Sequence, residues 1–155
     1  MNGRRNSRVL PIEQAPPADT SAYRRVVLVV DDESAIADSV TAILSLSGYA
    51  AMAAYDATEA LETALLTPPE VLITDVVLPG MNGIELAISI KRIFPDCKIL
   101  LFSGQAATSD LIVAARSAGH HFSLLNKPVH PKDLLSRVAA SLNGKDSFDA
   151  ISATI

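Results

Sequence analysis

The pattern that most restricts the fold is an alternation repeated five times: a short apolar run, then a segment with helical spacing. Val26-Val27-Leu28-Val29-Val30 and Val71-Leu72-Ile73 are branched runs without polar alternation, which is how strands buried on both faces read. Lys98 to Phe102 and Phe122 to Leu125 repeat the pattern, and Tyr49 to Ala54 is a weaker version in small residues. Between the first two runs, Ile36, Val40, Ile43 and Leu44 recur at helical spacing over Ser34 to Ser47, with Gly48 as the stop. Asp56 with Glu59 predicts a capping box in Asp form, opening a helix through Leu66. Further helices are expected from Gly83 to about Phe94, from about Ser109 to Ala118, and from Pro131, at the first helical position, to about Leu142. Strands alternating with helices of this length imply a parallel sheet covered on both faces, with right-handed crossovers. The expected fold is α/β: a doubly wound, five-stranded parallel sheet of (βα)5 organisation.

The 155 residues fit one domain plus tails. Residues 1–22 are rich in Arg, Pro, Ala, Ser and Thr without apolar periodicity and read as a flexible tail. The domain is expected over 23–143, with a second tail over 144–155. Cys97 is the only cysteine, so no internal disulfide forms and a reducing compartment is expected. No apolar run approaches the roughly 20 residues of a membrane span. Val9-Leu10-Pro11-Ile12, after Arg4, Arg5 and Arg8, is too short for the core of a secretory signal. A cytoplasmic protein without a membrane partner is expected. Residues 1–25 carry five arginines against Glu13 and Asp19, yet the whole chain is −4, so the rest is acidic. That balance argues against nucleic-acid binding by the folded part.

In a parallel sheet the carboxyl ends of the strands share one edge, where ligands bind. Strand one runs into Asp31-Asp32, strand three ends in Asp75, strand four in Ser103, and strand five in Lys127. Asp75 alone reads equally well as a loop or helix cap, but four such strand ends together point to a site. Three crowded carboxylates raise one another's pKa unless a cation is present, and oxygen-only donors suit Mg²⁺. Lys127 and Ser103, with backbone N–H groups near Gly104, complete a site for a tetrahedral anion. This is the arrangement for phosphoryl transfer to a carboxylate.

The motifs Val29-Val30-Asp31-Asp32-Glu33, Asp75 with Pro79 four on and Gly83 eight on, Phe102-Ser103-Gly104 and Lys127-Pro128 span roughly residues 25 to 142. In these the chain resembles the receiver domain of bacterial two-component response regulators, of the single-domain, chemotaxis-regulator-like type. The resemblance implies a flavodoxin-like sheet of order 2-1-3-4-5 and Mg²⁺ as cofactor. It implies Asp75 as the phosphoacceptor, served by a phosphohistidine of a sensor histidine kinase or histidine phosphotransfer protein. Asp32 is then the direct metal ligand, Asp31 acts mostly through water, and Asp75 and the backbone carbonyl of Val77 complete the metal set. Ser103 and Lys127 hold the phosphoryl oxygens, and the Lys127-Pro128 peptide is cis. Such a domain is not an enzyme in the usual sense. It catalyses its own phosphorylation and dephosphorylation and switches the face formed by its fourth helix, fifth strand and fifth helix toward a downstream protein target, with homodimerisation on phosphorylation left open.

Some positions depart from the family pattern. Leu124 stands where an aromatic residue commonly lies three before the lysine; the nearest aromatic is Phe122, after a loop, Gly119-His120-His121, one residue longer than usual. Val77 and Gln105 hold the positions that usually steer the attacking water, and an apolar Val77 cannot orient it, so phosphate is expected to be lost slowly. His120, His121 and His130 lack the spacing of a zinc set and read as loop residues, His130 at the start of the last helix. Glu33 reads as a helix-start charge, and Cys97 as a small core residue. The segment after Leu142 is too short for an output domain, so a stand-alone receiver is expected. One alternative, a pseudo-receiver that binds constitutively, is disfavoured by the intact acidic residues and lysine. Another, a small Mg²⁺-dependent phosphohydrolase, requires an Asp at position 77.

Overall fold

The computed structural model describes residues 23–104 and 109–144. The two expected tails, apart from Gly144, and the Gln105 position lie outside them. The elements run β1 (Val26–Val30), α1 (Ser34–Leu46), β2 (Ala50–Ala54), α2 (Ala57–Leu66), β3 (Val71–Asp75), α3 (Gly83–Ile93), β4 (Lys98–Ser103), α4 (Ser109–Ser117), β5 (Ser123–Asn126) and α5 (Pro131–Leu142). All strands pair in parallel in the order β2-β1-β3-β4-β5. The doubly wound fold and its order are as expected.

Successive strand residues serve opposite faces of the sheet, which is why the strands are uninterrupted apolar runs. Leu28, Val30, Leu72, Ile99 and Leu101 pack under α2, α3 and α4, where Ala60, Ala64, Leu86, Ala87, Ile90 and Ala115 meet them. Val27, Val29, Val71, Ile73, Leu100 and Phe102 pack under α1 and α5, against Ala37, Val40, Leu44, Leu134 and Val138. α4 is the lightest attachment: Ala115 is buried, whereas Leu111 and Val113 are exposed.

Local chemistry sets the helix starts. Asn82 and Glu85 form a reciprocal capping box on α3. That box was not expected from the sequence. The predicted box on α2 is half formed: Asp56 accepts the Glu59 N–H at 2.7 Å, but the Glu59 carboxylate takes the N–H of Tyr55, one residue before the cap. Tyr55 also donates its hydroxyl to Asp38 of α1 at 2.6 Å, which draws it to this corner. His130 caps α5 through Nδ1, accepting the Lys132 N–H at 3.1 Å, with Pro131 in the first turn. Strand five lies one residue later than predicted. Its ladder to β4 runs from Leu100 with Ser123 to Ser103 with Asn126, so Phe122 precedes it.

At the amino-terminal edge of the sheet, the Tyr23 hydroxyl donates to Glu70 at 2.7 Å and Arg25 pairs with the same carboxylate. Leu142, the last residue of α5, lines a hollow there with Arg25, Pro69 and Lys98.

Candidate functional site

β3 is buried along its whole length. Leu72 faces α2 and α3 while Ile73 faces α1 and α5, so by alternation the Asp75 carboxylate lies on the α1/α5 side, at the carboxyl end of the strand. β1 ends in the same place and delivers Asp31, which is fully buried, followed by exposed Asp32. Carboxylate oxygens of Asp31, Asp32 and Asp75 lie within 4.8 Å of one another.

Lys127 enters from the end of β5. Its Nζ donates to Asp31 Oδ2 at 2.7 Å and to Asp75 Oδ2 at 3.1 Å. The other oxygen of each carboxylate is held by main chain: Asp31 Oδ1 accepts the Glu33 N–H at 2.9 Å, and Asp75 Oδ1 the Val77 N–H at 3.3 Å. Lys127 is itself fixed by its N–H to the Ser103 carbonyl at 3.0 Å. Its stem passes Gly104 so closely that a Cβ there would lie 3.4 Å from Lys127 Cβ. The Lys127-Pro128 peptide is cis, as expected.

Burial raises the Asp75 carboxyl above its ordinary value; the Lys127 bond and charge and the Val77 N–H pull the other way, and Asp31 adds to the rise. For Lys127, burial lowers the pKa, but its bonds to Asp31 and Asp75 outweigh burial and the net direction is up. The lysine is firmly charged, and the Asp75 carboxylate sits in surroundings that favour added positive charge.

Ser103 is buried at the end of β4. Val77 is 53% exposed beside the carboxylates, and its side chain lines an open trough. The trough holds Asp32, Asp75 and Lys127, and continues past Ile36, Val40 and Ile43 of α1 to Pro128 and Val129. Glu33 is exposed and lines the trough, outside the carboxylate cluster. Among the described residues, none of His120, His121 and His130 joins the cluster of metal-ligating side chains. Phe122 and Leu124 both pack toward the α2–α4 side, and Phe122 stacks on His120 with ring centroids 6.0 Å apart. The Leu124 carbonyl accepts the Arg137 guanidinium at 2.6 Å.

Two contacts on the Asp75 main chain were not expected from the sequence. The Thr74 hydroxyl donates to the Asp75 carbonyl at 3.0 Å, and Gly83 abuts the same carbonyl. For Thr74 the available signal was a single hydroxyl within an otherwise apolar buried run, and Gly83 was already a motif residue eight on from Asp75.

The family profile of the response regulator receiver domain matches residues 27–139. The chain belongs to that family. Among curated relatives, the DNA-binding response regulator MtrA of Mycolicibacterium paratuberculosis is 31% identical over 127 residues, covering 82% of this chain and 55% of that one. The chain therefore spans about half the length of the curated relatives it matches. A CheY-like receiver domain protein from Methanospirillum hungatei superposes with a TM-score of 0.71 at 31% identity, covering 79% of this chain and 97% of that one. The chemotaxis protein CheY4 of Vibrio cholerae gives 0.70 at 28% identity, covering 77% and 100%.

The receiver's acidic cluster fits a hard divalent cation. It offers carboxylate oxygens from three residues, without nitrogen or sulfur donors in the cluster, and such donor sets suit Mg²⁺.

Proposed function

We propose that residues 23–143 form a receiver that accepts a phosphoryl group on Asp75. The donor is a phosphohistidine of a sensor histidine kinase or histidine phosphotransfer protein, and the output is protein–protein contact. The observation that carries this reading is the Lys127 ammonium between Asp31 and Asp75, at the mouth of a trough open to a partner.

In this reading an Asp75 carboxylate oxygen attacks phosphorus while the phosphorus–nitrogen bond to the partner's imidazole breaks. Asp32, Asp31, Asp75 and the Val77 carbonyl would hold Mg²⁺, which when bound neutralises charge on the transferring group. Lys127 moves its contact from the Asp75 oxygen to a phosphoryl oxygen while Asp31 keeps it anchored, and Ser103 donates to another. The apolar trough along α1 and Pro128-Val129 receives the partner. The acceptor then signals through α4, β5 and α5, consistent with the light attachment of α4.

Among the described residues no helix is long and apolar enough to cross a membrane, and a cytoplasmic site of action belongs to this reading. DNA binding, named for MtrA, is not proposed for this acidic domain.

The test is Mg²⁺-dependent gain of phosphate from acetyl phosphate or phosphoramidate, read by intact mass. One phosphate on the native chain, absent from Asp75→Asn and without Mg²⁺, supports the reading. No phosphate under any condition replaces it with a phosphorylation-independent interaction module.

A further inference from the structure

The carboxylate of Asp75 faces α1 and α5, while its main-chain carbonyl is approached from the α3 side by Thr74 and by Gly83, the glycine of the sequence motif, neither of which has been given a role in the chemistry. Thr74 is fully buried and donates its hydroxyl to that carbonyl at 3.0 Å. Gly83, the first residue of α3, lies so close that a Cβ built on it would overlap the same oxygen. That Cβ would also sit 2.8 Å from the carbonyl carbon and 3.0 Å from Val76 Cα. The Gly83 N–H donates to the Val76 carbonyl at 2.8 Å, and the Val76 N–H donates to the Phe102 carbonyl at 3.0 Å. The peptide from Asp75 to Val76 is thereby held by a hydroxyl, a helix end and the neighbouring strand.

Packing alone does not call for these residue types. Thr74 lies between Ile73 and Asp75 on a face it shares with buried Leu72 and Val76. Valine would fill the same volume there without a hydroxyl to satisfy. The register of β1 with β3 ends at Val30 with Thr74, so beyond that pair the Asp75 peptide needs another hold. Gly83 opens α3 directly after its Asn82 cap, and its missing side chain lets the helix backbone reach the Asp75 carbonyl. Both groups that this stretch brings to the site depend on the orientation of that peptide: the Asp75 carboxylate, and the Val77 carbonyl two residues on.

We propose that Thr74 and Gly83 are positioning residues for phosphoryl acceptance, clamping the Asp75 carbonyl so that its carboxylate and the Val77 carbonyl are aimed together at the metal side. The inference rests on Asp75 being the phosphoacceptor. Misplacement of a reacting group by about 1 Å costs up to roughly a hundredfold in rate, so losing one arm of the clamp has a measurable kinetic effect.

The experiment compares the native chain with Thr74→Val, Thr74→Ser and Gly83→Ala. Phosphate gain from acetyl phosphate is followed by intact mass across a Mg²⁺ series, beside the melting temperature of each. The expected result is a rate at saturating Mg²⁺ at least about fivefold lower for Thr74→Val, restored to within about twofold by Thr74→Ser. For Gly83→Ala, a lower rate and a higher Mg²⁺ half-saturation are expected. Should Gly83→Ala fail to fold, the Thr74 pair alone decides. A Thr74→Val rate within about twofold of native, whatever its melting temperature, overturns the inference, as does a Thr74→Ser variant as slow as Thr74→Val. A native chain that takes no phosphate overturns the acceptor reading and this inference with it.

Discussion

Lys127 Nζ lies closer to Asp31, at 2.7 Å, than to Asp75, at 3.1 Å. The shorter contact is thus made to the carboxylate that is not the proposed acceptor. Asp31 is the more deeply buried of the two and is also held by the Glu33 N–H. The lysine is tethered through Asp31, which leaves its Asp75 contact free to be exchanged for a new anion.

Removing that cation leaves two carboxylates facing each other with little solvent. Lys127→Met is expected to lose about 3 kcal/mol of unfolding free energy without Mg²⁺, and to regain part of it when Mg²⁺ is added. Urea unfolding with and without Mg²⁺ measures both. Because the folded pKa of Lys127 is raised above its ordinary 10.5, its contribution is full below that value and is lost as pH climbs through the raised one.

Asp75 has the opposite consequence for stability at neutral pH. Burial raises the Asp75 pKa in the fold, so the stability tied to its proton is present below the unfolded value, about 4, and is lost as pH rises through the folded one. Asp75→Asn is therefore expected to be more stable than the native chain at pH 7 in chelator, with the gap closing as pH falls toward about 4. An Asp75→Asn protein of equal or lower stability at pH 7 contradicts the burial argument.

Asp32 is exposed, and the proposed reading gives it a role toward the metal rather than in the fold. Mg²⁺ at a hundred times its dissociation constant is expected to stabilise the native chain by about 2.7 kcal/mol. Asp32→Asn is expected to keep its metal-free stability within about 0.5 kcal/mol and to lose most of the Mg²⁺ gain. Thermal melts across a Mg²⁺ series separate the two effects.

The fold was legible because its strands are buried on both faces: Val26–Val30 and Val71–Ile73 have no polar alternation to confuse with an amphipathic strand. Asp31, Asp32, Asp75, Ser103 and Lys127 could be collected from the sequence because a parallel sheet sends every strand end to one edge, without knowing a distance; Val77 entered only through the family resemblance. What stayed hidden was main-chain geometry. Nothing in the letters Thr74 or Gly83 says that a hydroxyl and a helix end meet the same carbonyl oxygen, and the Lys127 preference for Asp31 is a difference in distance alone. The Glu59 carboxylate reaches Tyr55 instead of Asp56 because of a tyrosine drawn to Asp38, a contact between two helical corners that spacing does not encode.

Cys97 is buried, and burial pushes its thiol up to about 12. At pH 8 a disulfide-exchange reagent is expected to leave the native protein unmodified and to react fully in urea, where an exposed thiol ionises near 8.5. Fast labelling of the native chain indicates local opening at the start of β4.

Val77 presents an exposed isopropyl group beside Asp75, the proposed acceptor, where it has no hydrogen bond to offer a water molecule. Val77→Asn is expected to shorten the lifetime of phosphate on Asp75 several-fold, followed by intact mass after removal of the phosphodonor. An unchanged lifetime contradicts a role for this side chain in protecting the phosphate.

The Tyr23–Glu70 contact and the hollow shared by Arg25 and Leu142 put both ends of the described domain at the pole opposite the carboxylates. The carboxylates and the first and last described residues are thereby held apart by the length of the strands, so a change at one pole need not disturb packing at the other.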